Sequence, residues 1–366
     1  MVNRHYNFSA GPSTLPQEVL EQAQRELVDW QGKGVSVMEI SHRSDDFMQV
    51  LTETEKDLRT LLAIPSNYHV LFLQGGATAQ FAAVPLNLIQ CSVQVSADYM
   101  VTGVWSEKAY KEASRFGKIN RVLTGDYRDY KFIPDPEQWA INPKSAYLHY
   151  CHNETISGLM FNSIPDVSEL PVVADLSSII LAQAFDVKRF GLIYAGAQKN
   201  IGPAGVTLVI VRDDLLDYAA WQTPNILNYQ QQAANRSMLN TPPTFIIYLA
   251  GLIFKWLLKQ GGVSHIESIN KQKAATLYNY IDQSALYRNP IEPNYRSITN
   301  ITFRLTQPEL ETDFLHTAKA HNLLYLKGHK SQGGIRASMY NAMPLDAAHR
   351  LVEFMRTFEA SHRKKI

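Results

Sequence analysis

The chain has 366 residues, with 35 Lys and Arg against 34 Asp and Glu for a formal charge of +1, 45% hydrophobic residues and 19% charged ones. That balance is ordinary globular usage, which argues against long disordered or fibrous stretches and against whole-molecule attraction to nucleic acid or an anionic membrane. At about 150 residues per domain, the length suggests two domains, each able to bury its own core. The two cysteines, Cys91 and Cys151, make no disulfide framework and fit a reducing compartment. The start, Met1-Val-Asn-Arg-His-Tyr-Asn7, has no apolar signal core, so a cytoplasmic location is expected.

Apolar residues at helical spacing predict helices over 17–30, with Val19, Leu20, Ala23, Leu27 and Trp30, and over 46–62, with Phe47, Leu51, Leu58 and Leu62. Short apolar or β-branched runs follow at His69–Leu73, Cys91–Ser96, Ser145–Tyr150, Val172–Ala174, Leu192–Ala195 and Val206–Val211, alternating with helical or loop segments. This alternation predicts an α/β architecture with a largely parallel sheet covered on both faces, where ligands gather at the carboxyl ends of strands. The apolar run Phe245–Phe254 is too short to span a bilayer and reads as a buried helix. Two helical stretches meet at Gly261-Gly262, and beyond them strands near Ser297–Arg304 and Gly334–Tyr340 bracket a helical 311–321. A smaller α+β domain is expected from residue 262. The terminal Arg363-Lys364-Lys365 reads as a solvated helix end.

Three features carry chemistry. His69-Val-Leu-Phe-Leu-Gln-Gly-Gly-Ala-Thr-Ala-Gln-Phe81 reads as strand, glycine turn and helix start, which fits a phosphate cup or a plain strand-to-helix turn. It is neither a Walker loop nor a GxGxxG fingerprint. Asp175 follows the run Val172-Val-Ala174, and Lys199 follows another run 24 residues later, so an acid and a lysine are expected on one rim of the sheet. Pyridoxal phosphate chemistry needs such a set: a lysine for the Schiff base, a carboxylate for the pyridine nitrogen and a cup for the phosphate. Taken singly, Asp175 fits a turn cap and Lys199 a solvated side chain. His149-Tyr-Cys-His152 lacks a second ligand group with zinc spacing and alternates across a strand, so no metal site is expected. The 18 tyrosines, with no basic stripe, do not make a nucleic-acid platform.

The segments Asn7-Phe-Ser-Ala-Gly-Pro12, Ser41-His-Arg43, Gln74-Gly-Gly-Ala-Thr78, Asn153-Glu-Thr155, Ala195-Gly-Ala-Gln-Lys199-Asn-Ile-Gly-Pro203, Asn240-Thr-Pro-Pro-Thr-Phe245 and Gly333-Gly-Ile-Arg-Ala-Ser-Met-Tyr-Asn-Ala-Met343 lie in order across nearly the whole chain. Together they resemble the phosphoserine aminotransferase family, class V enzymes of the pyridoxal phosphate fold-type I. The resemblance implies a large cofactor domain over 16–261, with a mainly parallel sheet sandwiched by helices. It implies a small domain from 262–366 together with 1–15. It also implies a homodimer with shared active sites, acting on glutamate, 3-phosphohydroxypyruvate and phosphoserine by a ping-pong transamination in serine synthesis. A phosphorylated hydroxythreonine of pyridoxine synthesis is a further implied substrate.

By the same resemblance Lys199 would carry the Schiff base and move the proton, and Asp175 would pair with the pyridine nitrogen. Trp105 would stack on the ring and Thr155 would bond its phenolic oxygen. The phosphate would rest on Gly76, Ala77, Thr78 and Gln198, with Asn240 and Thr241 reaching across from the second subunit. Arg336 would take the α-carboxylate, and the partner's His42 and Arg43, with His329, the distal phosphate. Where the family usually shows arginine after Gly-His, this chain has Lys330, which keeps the charge and loses the rigid fork. Lys330 is expected to serve the distal anion nonetheless. The alternatives are another class V enzyme such as a cysteine desulfurase, which needs a nucleophilic thiol, or a non-catalytic binding module of the same fold.

Overall fold

A computed structural model of the chain describes residues 4–93, 95–167 and 170–362. The basic terminal segment expected to end a helix lies outside these residues. In chain order the elements open with β1 (Tyr6–Asn7), α1 (Gln17–Glu26), α2 (Asp45–Leu62), β2 (Tyr68–Leu73), α3 (Gly76–Leu88), β3 (Ser96–Met100), α4 (Val104–Ala113) and β4 (Lys118–Arg121). They continue with β5 (Leu148–Cys151), β6 (Asn153–Glu154), β7 (Leu159–Met160), β8 (Val172–Asp175), β9 (Leu192–Gly196) and β10 (Thr207–Arg212). The remainder is mostly helical: α5 (Tyr229–Ala234), α6 (Thr244–Lys259), α7 (Gly262–Gln283), β11 (Tyr287–Arg288), β12 (Asn300–Leu305), α8 (Glu311–Ala320), β13 (Leu323–Leu324), β14 (Ile335–Ser338) and α9 (Leu345–His362).

Seven strands form the central sheet in the order β2-β10-β9-β8-β5-β3-β4. Only β10 runs against its neighbours, so the carboxyl ends of the other six share one rim. The strands β8 and β9 are buried along their whole length, as expected for strands covered by helices on both faces. One face packs against α1, α2 and α6, with Leu51, Leu58, Ile247 and Phe254 in the core. The other packs against α3 and α4 through Phe81, Val84, Ala109 and Ala113. The run 245–254 lies inside α6 and is buried, and among the described residues no single helix is long and apolar enough to cross a membrane.

A second core joins Phe8, the C-terminal half of α7, the three-stranded sheet β11-β12-β14, α8 and α9. Helix α7 links the two cores: Val263 and Ile266 pack into the first, while Leu277 and Ile281 pack into the second. The N-terminal strand β1 pairs in parallel with β13, which seats residues 6–7 on this second unit.

Two sequence expectations shift. The first helix stops at Glu26, and Trp30 sits in a separate 3-10 turn. The strand expected over Cys91–Ser96 is a 3-10 turn ending at Cys91, followed by Val95 at a φ of 49°, which a strand cannot hold. The true strand starts where that run ends, at Ser96, and carries the fully buried Asp98. The Asp98 carboxylate accepts from Ser145 Oγ at 2.6 Å, Asn142 N at 2.7 Å and Asn120 Nδ2 at 2.9 Å.

Candidate active site

Five segments reach the common rim: the Gly75–Thr78 turn after β2, Trp105 after β3, Thr155 after β5 and β6, Asp175 at the end of β8, and Lys199 just past β9. Gly75 takes a φ of 96°, and a Cβ there would lie 2.5 Å from Ala79 Cβ, so glycine is required for the chain to turn into α3. No side chain caps α3, and its first N–H groups, at Gly76, Ala77 and Thr78, point past the helix end, the arrangement that binds an anion. Nothing lies within 4 Å of where a Cβ on Gly76 would be, so this side of the turn is open.

Lys199 Nζ donates to Thr155 Oγ1 at 2.8 Å and lies 6.0 Å from the centroid of the Trp105 ring. Burial pushes its pKa down, and the nearby Asp175 carboxylate partly opposes that. Burial pushes the Asp175 carboxyl up, against the Lys199 charge and the bond from Ser177 N at 2.9 Å. Gly196 N in turn donates to Ser177 Oγ at 3.0 Å, which ties the Asp175 support to strand β9.

The segment Asn7–Ser13 closes one side of the lysine. Ser13 N donates to Gln198 O at 3.0 Å, and a Cβ on Gly11 would lie 3.2 Å from Gln198 Cγ and 3.4 Å from Lys199 Cγ. Gln198 is half-buried beside Lys199.

Arg336, on β14, donates to Thr155 O at 3.3 Å, so the second unit reaches the lysine through Thr155. His329 bonds Ser331 Oγ at 2.8 Å, and its pKa is pushed down by burial and by the charges of Arg336, Lys108 and Lys330. Arg336, Lys108 and Lys330 thus bring three cations around the His329 imidazole, which their charges push toward its neutral form. Lys108 lies 4.4 Å from the Trp105 ring centroid, a cation that sequence reasoning missed.

Within one chain, His42 and Arg43 lie at the start of α2, joined by no hydrogen bond or ion pair to Lys199, Arg336 or His329 among the described residues. Thr241 is tied to the glycine turn through its carbonyl, which accepts from Gln74 Nε2 at 3.3 Å, and Asn240 is exposed beside it. Sequence reasoning also missed Glu154 and Asn153, although both stand in a motif that was recognised. The Glu154 carboxylate accepts from Trp105 N, Ser106 N and Ser106 Oγ. Asn153 Nδ2 donates to Ser178 Oγ, Thr299 Oγ1 and Asn300 Oδ1, joining the central sheet to β12.

The residues present fit pyridoxal phosphate. Among the described residues, Trp105 Nε1, Thr102 Oγ1 and Asn200 Nδ2, on the segments that follow β3 and β9, are buried with no hydrogen-bond partner. An amine, a carboxylate, an aromatic face and a row of free N–H groups are the donor set that such a ring and its phosphate take.

Cys151 is buried and donates to Asn153 O at 3.5 Å, and burial raises its thiol well above the usual value. That is the opposite of an activated nucleophile. His149 bonds the Tyr194 hydroxyl at 2.8 Å, while His152 bonds Tyr150 and Gln183, so the two rings serve different cores.

Residues 5–351 match the family Aminotransferase class-V. The chain is 54% identical over 358 residues to the phosphoserine aminotransferase of Hahella chejuensis, covering 98% of this chain and 99% of that protein. It is 55% identical over 360 residues to that of Acinetobacter baylyi, with 98% and 99% covered. Among solved structures, the phosphoserine aminotransferase of Bacillus circulans subsp. alkalophilus superposes with a TM-score of 0.95 at 44% identity, covering 99% of this chain and 100% of that one. The pyridoxal-phosphate-bound phosphoserine aminotransferase of Trichomonas vaginalis superposes with a TM-score of 0.93 at 39% identity, covering 96% of this chain and 100% of that one. With a lysine, a carboxylate, a tryptophan and a glycine turn assembled on one rim, the chain belongs to the class-V aminotransferases, pyridoxal-phosphate enzymes of fold-type I, and among them to the phosphoserine aminotransferases.

Proposed function

We propose that the chain catalyses the reversible transfer of an amino group between glutamate and 3-phosphohydroxypyruvate, giving phosphoserine and 2-oxoglutarate. The observation that carries this reading is the wall of three cations, Arg336, Lys330 and Lys108, around the His329 imidazole, with Arg336 and Lys199 both bonded to Thr155. Both amino donors are anionic at two ends, and only such a wall holds both ends while the Cα faces the amine.

When bound, pyridoxal phosphate supplies an electron-accepting ring that stabilises negative charge developing at the substrate Cα. Asp175 would hold the proton on the ring nitrogen; its burial makes that pairing strong. Trp105 would lie on the ring face, and Gly76, Ala77, Thr78 and Gln198 would hold the phosphate. Lys199, whose burial favours the neutral amine, would take the proton from Cα as general base. Thr155 holds that amine in place. Arg336, already aimed at the Thr155 carbonyl, would take the α-carboxylate in its fork.

We assign His42, Arg43, Asn240 and Thr241 to the neighbouring active site of a homodimer. Leu27, Val28, Val35 and Met38 are large apolar side chains exposed on the segment leading to His42, which suits a covered surface. The two cores support a division into a cofactor domain over 16–261 and a small domain from 262 with the N-terminal residues. The reducing compartment implied by the unpaired thiol supports a cytoplasmic location.

The test is the absorption spectrum of the cofactor-loaded protein with one amino acid at a time and no keto acid. Bleaching of the yellow band by phosphoserine and by glutamate, and not by alanine or cysteine, is expected. Release of sulfide from cysteine, or bleaching by some other amino acid alone, overturns the substrate assignment.

A further inference from the structure

The segment between β1 and α1 joins the small unit to the lysine. At one end it is built into the small unit: Phe8 is wholly buried in the second core, Phe8 N donates to Leu324 O at 3.0 Å, and Ser338 N, on the strand of Arg336, donates to Phe8 O at 3.2 Å. The buried Tyr340 hydroxyl adds a second tie there. It donates to Ala10 O at 2.9 Å and accepts from Asn300 Nδ2 at 3.0 Å. Burial raises the Tyr340 pKa and the Arg336 charge opposes it, so hydroxyl and guanidinium are electrostatic neighbours.

At the other end the segment grips the main chain of the lysine. Ser13 N donates to Gln198 O at 3.0 Å, and Ser13 Oγ donates to Lys199 O. Gly11 lies against the same two residues, where a Cβ would meet Gln198 Cγ at 3.2 Å. Between its ends the segment is bonded to itself, Thr14 Oγ1 to Asn7 O at 3.1 Å and Ser9 N to Asn7 Oδ1 at 2.9 Å, so it is a closed loop and not a slack connection. Arg336 therefore reaches Lys199 twice. One series of contacts runs through Thr155 to the amine, and the other runs through Ser338, Tyr340 and Ser13 to the peptide from which the side chain grows.

We infer that Ser13 and Tyr340 are positioning residues for the reaction. Through the segment 8–13 they hold the main chain of Lys199 in register with Arg336, so that a carboxylate seated on the arginine and the cofactor held by the lysine strengthen each other. Neither side chain is required to touch substrate or cofactor. A lysine fixed at its root as well as its tip has less conformational freedom left to lose, and a loop with packed, buried anchors transmits a small shift that a free loop would absorb. The inference rests on the reading that Arg336 takes the α-carboxylate and Lys199 the cofactor. By linkage the coupling is reciprocal, so it is measurable from either end.

The experiment measures two dissociation constants: that of glutarate, a dicarboxylate with neither an amino nor a keto group, on the cofactor-loaded protein, and that of pyridoxal phosphate. Ser13→Ala is expected to weaken glutarate about three- to tenfold, the scale of one hydrogen bond, although Ser13 makes no bond to Arg336 among the described residues. Tyr340→Phe is expected to weaken pyridoxal phosphate about threefold. Ser13→Thr, which keeps the hydroxyl, is expected to hold glutarate affinity within about twofold of the parent. In the double variant of Ser13→Ala with Tyr340→Phe, each constant is expected to match the worse single variant, because one break already uncouples the two ends. Losses that multiply in the double variant, unchanged glutarate affinity in Ser13→Ala, or unchanged cofactor affinity in Tyr340→Phe overturns the inference. Arg336→Gln in the same titration separates this from the underlying reading. Unchanged glutarate affinity there removes the arginine from the carboxylate and the coupling with it, whereas a loss of about tenfold there beside an unchanged Ser13→Ala removes the coupling alone.

Discussion

The Glu154 carboxylate accepts from Trp105 N at 3.0 Å, one residue before the threonine whose hydroxyl holds Lys199. A single tripeptide, Asn153-Glu-Thr155, thus anchors β12, holds the start of the helix that carries Trp105, and holds the Lys199 amine. Glu154 is fully buried, and a Cβ on Gly103 would lie 2.2 Å from its Cδ, so nothing larger than glycine fits beside it. Replacing Glu154→Ala leaves two backbone N–H groups and a hydroxyl without their acceptor at a helix N-terminus. A loss of about 3 kcal/mol in stability is expected from unpaired buried donors. Pyridoxal phosphate affinity is expected to fall with it, because Trp105 loses its anchor. Urea unfolding and cofactor titration measure the two effects, and Glu154→Gln, which keeps two of the bonds, is expected to lose less of each.

Asp175 and Lys199 shift each other. Burial lowers the lysine pKa, and the carboxylate is the largest influence opposing that. Asp175→Asn removes the opposition, so the lysine pKa falls further and the acid limb of kcat against pH moves to lower pH. With Asp175 in its proposed place at the ring nitrogen, the same change would remove the charge that keeps that nitrogen protonated, and kcat is expected to fall by about 10²- to 10³-fold, as when one preorganised electrostatic partner is lost. A pH–rate profile of the variant gives both readings. A kcat within a factor of two of the parent would remove Asp175 from the chemistry.

Much of this site was legible because its residues lie just past buried strands, and strands of the Val172–Asp175 kind announce themselves by composition. The glycine turn was legible for the same reason, since Gly75 and Gly76 interrupt an apolar run. What escaped was polar and non-local. Strand β3 hides behind Asp98, a buried carboxylate satisfied by three residues from two other segments, and β4 is an edge strand made only of Lys118, Ile119, Asn120 and Arg121. Glu154 gave no signal of its own, because its partners lie 48 and 49 residues away. Arg288 and Arg304, opposite each other in the β11–β12 register, are likewise invisible as a pair until that register is known.

Lys330 is exposed on the loop after His329, and its charge adds to those that depress the histidine. As a point charge it can attract the distal phosphate without the paired bonds of a guanidinium. Lys330→Ala is expected to raise KM for phosphoserine about three- to tenfold with little change in kcat, and Lys330→Arg to lower it. The effect of Lys330→Ala is expected to shrink as salt rises, since an exposed charge is screened. Steady-state kinetics at two ionic strengths checks both, and unchanged KM values for phosphoserine and glutamate would take Lys330 out of the site.

Lys273 is wholly buried in α7, where its ammonium donates to Tyr340 O at 2.8 Å and Met343 O at 3.0 Å. It thereby ties α7 to the segment just after β14, the strand that carries Arg336. Among the described residues no carboxylate compensates the charge, and burial lowers its pKa from 10.5 to about 7. In the unfolded chain the group keeps its ordinary value. Between about pH 7 and 10.5 the unfolded state therefore binds more protons than the folded one, and stability rises with pH across that window. Below pH 7 both states are charged and the penalty of burying the ammonium is present in full. Lys273→Met removes the titrating group while filling the same volume, so the variant is expected to lack this rise. Its stability relative to the parent is then greatest near neutral pH and declines toward pH 10. Urea midpoints at a fixed protein concentration over pH 6.5 to 10 measure the difference. A parent protein whose midpoint tracks that of Lys273→Met across the whole range would mean that the amine is solvated in the folded state.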